Sequence, residues 1–207
     1  MVHGYHMILP MYGIWLPNDP RGSWSDMIWK WELLRYGAAN PTAERRGLRD
    51  LSDDERMLRA AAQRELKYPP VTLTGMQANS IGDGFADTAH KNNYTVWACA
   101  VLPQHVHLVL ARHIYKVEQM ATLLKGGATK RIVSDGRHPL QAHRHTDGTY
   151  PKMWAEKRWK VFLDSEEQIE TAIRYVEENP DQEEKPRQHW KFVTPFRGLE
   201  PGVITYH

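Results

Sequence analysis

Two histidines stand one residue apart in "LPQHVHLVLARH", His105 and His107, at the start of a run that is otherwise almost wholly apolar. On a β-strand alternate side chains share a face, so the two imidazoles point the same way, about 6.6 Å apart along the strand. Neutral imidazoles so placed can converge on one metal ion. Spacing alone is weak evidence. With 11 His in 207 positions, chance supplies roughly half of one such pair. A second pair, His143 and His145, lies in a polar, loop-like stretch with no visible partners. The alternative is a core strand that merely tolerates two histidines.

A candidate nucleophile lies in "SEEQIETAIRYVEENP". Ile169, Ala172, Ile173 and Val176 make one apolar stripe at helical spacing, and Gln168, Tyr175 and Asn179 fall along its edge. Tyr175 and Asn179, four residues apart, are neighbours on that helix. The Tyr hydroxyl can attack an electrophile and the Asn carbonyl can ligate a metal. The alternative, commoner for a helical Tyr, is a ring over the rim of the core with its hydroxyl in water.

These groups need elements to hold them. "HGYHMILPMYGIWL" has β-type residues interrupted by Pro10, and "PNDPRGS" follows as a loop. "SDMIWKWELLRY" reads as a short helix, and Ser52–Lys67 as a firm one, opened by a Ser52/Glu55 capping box. A further box, Thr74/Gln77, opens a helical stretch in which Gly82 and Gly84 each cost roughly 1 kcal/mol. "YTVWACAVL" and "HVHLVLAR" are separated only by Pro103 and Gln104, which predicts an antiparallel hairpin. Val117, Met120, Leu124 and Ile132 give the next helix its period; "EKRWKVFL" reads as a strand. The last helix opens with a Ser165/Gln168 capping box, and Pro180 should end it. "QHWKFVTPF" reads as a final short strand. The order is that of an α+β, ferredoxin-like split βαβ fold. It has a central antiparallel sheet, an extra C-terminal helix and a helical insertion over 26–70. One domain over 1–207 is expected.

Bulk properties set bounds. The chain is 41% hydrophobic and 25% charged, enough to bury a core. Its one cysteine, Cys99, excludes an internal disulfide, and no apolar run matches a membrane span or a signal peptide. These features predict a soluble, cytoplasmic protein. The net charge of +2 hides an asymmetry: eleven Lys/Arg against four Asp/Glu in 111–160, then nine acids against Arg174 alone in 161–184. A basic block suggests a polyanion partner; a mutually compensated surface is the alternative. Lys125, Lys130 and Arg131 fall on the helix after the histidine strand, while Lys157, Arg158 and Lys160 alternate with Trp159. That alternation suits a nucleic-acid backbone groove with base stacking. It also suits a strand with Trp159 inside and charges outside. Arg21, in "NDPRGSW", is a further candidate contact.

At these residues the chain resembles a known family. "LPQHVHLVL" is similar to the histidine-hydrophobe-histidine motif of HUH endonucleases, and "IRYVEENP" to the catalytic-helix motif of single-tyrosine transposases. "YGIWLPNDPRG" and "WKVFLDSEEQIETAIRYVEENP" resemble the REP-associated tyrosine transposases. The resemblance excludes roughly 26–70. The family usually has Gly where Asn18 stands, and Asn tolerates the same left-handed backbone.

The resemblance implies a single-strand DNA nicking and joining enzyme acting on hairpin-flanked repeats, as a monomer or a homodimer. Tyr175 would attack the scissile phosphate, forming a 5′-phosphotyrosine and freeing a 3′-hydroxyl. His105, His107 and Asn179 would hold a divalent metal. Insertion-sequence relatives carry Gln where Asn179 stands, and the REP-associated ones carry Asn. Histidine ligands alone would suit zinc or manganese better than magnesium; magnesium or manganese is the resemblance's implication. Two other classes compete: a domesticated, sequence-specific DNA-binding protein without transposition, and an unrelated zinc hydrolase. No HExxH motif supports the latter.

Overall fold

Among the described residues four strands form one sheet, and the alternation of side chains along each strand decides what the helices cover. The computed structural model describes residues 1–16, 19, 50–156 and 159–199. Arg21, Lys157, Arg158 and the short helix expected over 25–36 lie outside the described residues. In chain order the elements are β1 (Gly4–Pro10), α1 (Asp53–Arg64), α2 (Gly75–Asn92), β2 (Val96–Val101), β3 (His105–Ala111), α3 (Val117–Ser134), β4 (Trp159–Leu163) and α4 (Glu166–Gln182). The sheet order is β2-β3-β1-β4 and every pairing is antiparallel. That is the expected split βαβ arrangement, in which β3, joined to β2 by the hairpin, returns between β2 and β1.

The two sheet faces differ in chemistry. Met7 and Leu9 of β1 and Val106, Leu108 and Leu110 of β3 join Ile81 and Phe85 of α2 and Met120, Leu124 and Ile132 of α3 in the main core. On the opposite face α4 packs Ile169, Ala172 and Val176 against Ala98, Ala100, Val109 and Leu163. Pairing of Ile8 with His107 and of Pro10 with His105 places the histidines on this second face, under α4.

Both glycines that weaken α2 on propensity grounds are explained by what lies against them. A Cβ on Gly82 would come within 2.0 Å of the Trp190 ring, and one on Gly84 within 2.6 Å of the Ala128 backbone of α3. Reciprocally, a Cβ on Gly127 would meet Thr88 Oγ1 at 1.9 Å. The α2–α3 crossing is therefore a backbone-to-backbone contact. Gly84→Ala should gain about 1 kcal/mol of helix propensity, yet the Cβ must push α3 away. We expect a lower melting temperature for this variant; a higher one would show that the crossing relaxes freely.

The first two capping boxes form in full, with Ser52/Glu55 and Thr74/Gln77 each bonded in both directions. The third forms by half. The Ser165 side chain accepts from the Gln168 N–H, but the Gln168 amide turns to the Asp164 N–H at 2.7 Å. Two expectations are corrected. Pro180 does not end α4: it loses one hydrogen bond for want of an N–H, yet it is buried and the helix runs on to Gln182. "QHWKFVTPF" forms no strand. It makes a single parallel bridge, Val193 to Val96, with the Thr194 N–H donating to the Val96 carbonyl at 2.8 Å.

Within the expected insertion, α1 docks on the chain just after β1. Arg59 donates to Asp19 at 3.1 Å and to the Ile14 carbonyl at 3.0 Å, and Gln63 to the Gly13 carbonyl at 2.9 Å. Leu16, Ala62 and Leu66 close a small apolar contact there.

Candidate metal and nucleophile site

The strand alternation brings His105 and His107 together as expected. Their ring centroids are 4.7 Å apart and nearly perpendicular. His107 is 2% exposed, whereas the His105 side chain retains 14% at the strand's start. β1 adds an imidazole that no spacing rule singled out. His6 lies diagonally across from His107, since its direct partner is Val109. Nε2 of His6 is 3.0 Å from Nδ1 of His107, a hydrogen bond between two buried rings.

Helix α4 closes the site from above. The Tyr175 ring lies 5.6 Å from that of His107 and 5.7 Å from that of His6, steeply inclined to both. Trp159 of β4 stands edge-on to His6 at 5.4 Å. Two turns beyond Tyr175, the Glu183 carboxylate reaches to 4.0 Å from Nε2 of His105. Tyr175 and Asn179, four residues apart, line one face of α4, and Glu183 follows four residues on as its C-cap. Asn179 therefore occupies the turn between the residue over His107 and the residue beside His105. It is 5% exposed.

Burial sets the charge state. It pushes the His6 imidazole down to about 4. It also drives His107 well below its usual range, with His105 and His6 adding repulsion. Both rings are therefore neutral near pH 7, the form with a lone pair to offer a cation. Burial also raises the Glu183 carboxyl, partly offset by Lys185. In the unfolded chain a histidine titrates near 6.5, so below that pH the unfolded state binds protons that the folded state refuses. Stability is therefore lost as pH falls from about 6.5 through about 4. We expect His6→Gln to flatten the urea midpoint against pH in that window relative to wild type. Superimposable profiles would mean that His6 charges freely in the fold.

Two imidazoles, His105 and a His107 kept neutral by burial, are the side chains here that could offer donors to a divalent ion, with Asn179 on the facing helix. Among the described residues no three His, Cys, Asp or Glu side chains stand close enough to hold an ion by themselves. The Asn179 carbonyl and oxygens from water would have to complete the shell of any ion held there.

The other candidate contacts are spread over the fold. Lys125, Lys130 and Arg131 are on α3, on the far side of the sheet from the histidines. Lys125 donates to the Ala155 carbonyl at 2.8 Å and sits over the Trp154 ring. Arg131 is held by Asp83 at 2.9 Å, Asp135 at 3.2 Å and Asp87 at 3.5 Å, tying α2 to α3. Lys130 is exposed. Trp159 alone of these basic and aromatic candidates is described at the histidine cluster. His143 and His145 lie apart from the site, edge-on to Tyr68 at 5.6 and 6.2 Å.

Sequence reasoning missed His6 and Glu183. His6 carried one usable signal, an imidazole inside an apolar strand, but only the β1–β3 register says which neighbour it meets. Glu183 is the C-cap of α4, hidden by the expectation that Pro180 stops the helix.

Among the described residues no helix is long and apolar enough to cross a membrane. No family model matches the chain, and no curated protein matches it. Among solved structures the chain is similar to a REP-associated tyrosine transposase bound to a REP hairpin. The TM-score is 0.45 at 9% identity, over 87% of this chain and 68% of that one. It is also similar to a candidate transposase from Deinococcus radiodurans R1, with a TM-score of 0.40 at 15% identity, over 86% of this chain and 90% of that one. Likeness of this degree decides nothing about chemistry, which rests on the geometry of the histidine face.

Proposed function

We propose that this chain is a metal-dependent enzyme that nicks and rejoins single-stranded DNA, a transposase working through a 5′-phosphotyrosine on hairpin-flanked repeat DNA. The observation that carries the reading is the Tyr175 ring set against the buried His107–His6 pair at 5.6 and 5.7 Å. The motif resemblance of "LPQHVHLVL" and "IRYVEENP" supports the choice of DNA as substrate.

His105, His107 and Asn179 would hold the ion. When bound, it would supply positive charge to a non-bridging phosphate oxygen and relieve repulsion of the incoming nucleophile. Tyr175 Oη attacks phosphorus. The Tyr–O–P bond forms as the P–O3′ bond breaks, the phenolic proton leaves, and the departing 3′ oxygen ends as a hydroxyl. Attack by a 3′-hydroxyl on the phosphotyrosine reverses the step and restores the phenol, so rejoining needs no ATP. Packing of α4 on the sheet would hold Tyr175 over the histidines, and such placement lowers the entropic cost of attack. Glu183 adds negative charge beside His105, favouring a cation there and opposing a phosphate in its absence. Trp159 offers a flat ring for a base at the edge of the site. Arg21, Lys157 and Arg158 are proposed as backbone contacts, and Lys130 as an outlying one. Lys125 and Arg131 are further proposed contacts, and they also bond to the Ala155 carbonyl and to Asp83, Asp87 and Asp135.

The test is a denaturing gel of end-labelled single-stranded DNA carrying repeat hairpins, with manganese, magnesium or EDTA. We expect strand cleavage with either metal and none with EDTA. Tight binding without cleavage on every hairpin would favour the DNA-binding protein. Cleavage that requires zinc would favour the hydrolase.

A further inference from the structure

We infer that His6 is a positioning residue: its Nε2 accepts a hydrogen bond from the Nδ1–H of His107 and so presets His107 in the tautomer whose Nε2 lone pair is free for the cation. The inference rests on the metal reading above and names a residue that the motif resemblance does not contain. Between the two ring nitrogens, 3.0 Å apart, one must donate and the other accept. If His6 donated, Nδ1 of His107 would be the acceptor and its only ring proton would sit on Nε2. No lone pair would then remain for a metal. If His107 donates, Nε2 is free. A ligand role for His107 and the observed bond to His6 are compatible in one arrangement only.

The fold holds His6 to this task. On antiparallel strands diagonal neighbours are about 7–8 Å apart, within reach of long side chains. The β1–β3 register makes His6 and His107 such a pair. The rings are roughly parallel, at 29° and 5.3 Å between centroids. Trp159 and Tyr175 stand edge-on to His6 at 5.4 and 5.7 Å, and the residue is 6% exposed. Little freedom is left for the ring to turn away. Metal-bound histidines generally donate their second ring N–H to an acceptor, and removing that acceptor typically costs 10–100-fold in metal affinity. Here a second imidazole fills the place usually taken by a carboxylate or a carbonyl.

The experiment has two readouts. Nitrogen-15 spectra of the histidine rings in metal-free protein report the tautomer of His107. Calorimetric titration with manganese reports affinity. We expect wild type to show the Nδ1–H tautomer at His107. His6→Leu should add the Nε2–H form and weaken manganese binding about 10–100-fold. His6→Gln, whose amide oxygen can accept the same proton, should recover most of that loss. Far-ultraviolet spectra and melting of each variant check the fold. If His6→Leu fails to fold, the wild-type tautomer and the His6→Gln affinity still decide. An Nε2–H tautomer in wild type, or unchanged affinity in folded His6→Leu, overturns the inference. Wild type that binds no manganese while showing the Nδ1–H tautomer overturns the metal reading instead.

Discussion

Tyr175→Phe is expected to abolish DNA cleavage while leaving binding and fold intact. The substitution removes one oxygen and keeps the ring that packs against His107 and His6. The apolar stripe of α4, Ile169, Ala172 and Val176, is untouched. Loss of a covalent nucleophile typically lowers turnover on the order of 10⁴-fold or more, so single-turnover cleavage should fall below detection. Electrophoretic mobility shifts on hairpin DNA and the thermal melt should match wild type. Retained nicking in this variant would remove Tyr175 from the chemistry and leave it as a ring over the edge of the core.

His107→Ala is the second large effect, and its comparison with His105→Ala separates ligand from core residue. Both should lose manganese binding and cleavage by at least about 100-fold, since each removes an imidazole donor. Their effects on stability should differ. His107 is 2% exposed and bonded to His6, so its removal opens a cavity and strands a buried partner. That costs about 1–3 kcal/mol. His105 sits at the strand's start, more open to solvent, and should cost less than about 1 kcal/mol. Urea denaturation and manganese titration of the two variants settle the matter. If His107→Ala unfolds the protein while His105→Ala binds manganese normally, the pair is a tolerated core feature and not a metal site.

Local patterns made much of the fold legible. The Ser52 and Thr74 capping boxes, the Pro103–Gln104 hairpin and the period of α3 are short-range features, and each appears where its residues predict it. Failures came where distant packing overrides local preference. Gly82 and Gly84 read as weak points in a helix because nothing nearby in the chain reveals Trp190 or Ala128. Pro180 read as a stop because its missing N–H is local, while the burial that carries the helix past it is not. The last strand failed because a β-like composition needs a sheet edge to join, and Val193 makes only one bridge to Val96.

The candidate site divides in the same way. His105 and His107 share a face by strand geometry alone, and Tyr175 and Asn179 share one by helix geometry alone. That α4 lies over the histidines, and that His6 bonds to His107, depends on register and on which face the last helix covers. Basic residues were the least legible. Arg131 reads as a DNA contact in a charged segment, and only the fold reveals that Asp83 and Asp87 of α2 and Asp135 just past α3 pair with it. A cation's role depends on its partners, and composition does not name them.

The most direct measurement is the chemical location of the bond between protein and DNA. Wild-type protein would be incubated with manganese and single-stranded hairpin DNA, then digested with nuclease and trypsin, and the peptides read by mass spectrometry. The expected result is a nucleotide joined through its 5′-phosphate to Tyr175, absent when EDTA replaces manganese. A nucleotide on another residue, or cleavage with no peptide adduct, would contradict the assignment of Tyr175 as a nucleophile aimed by the histidine face.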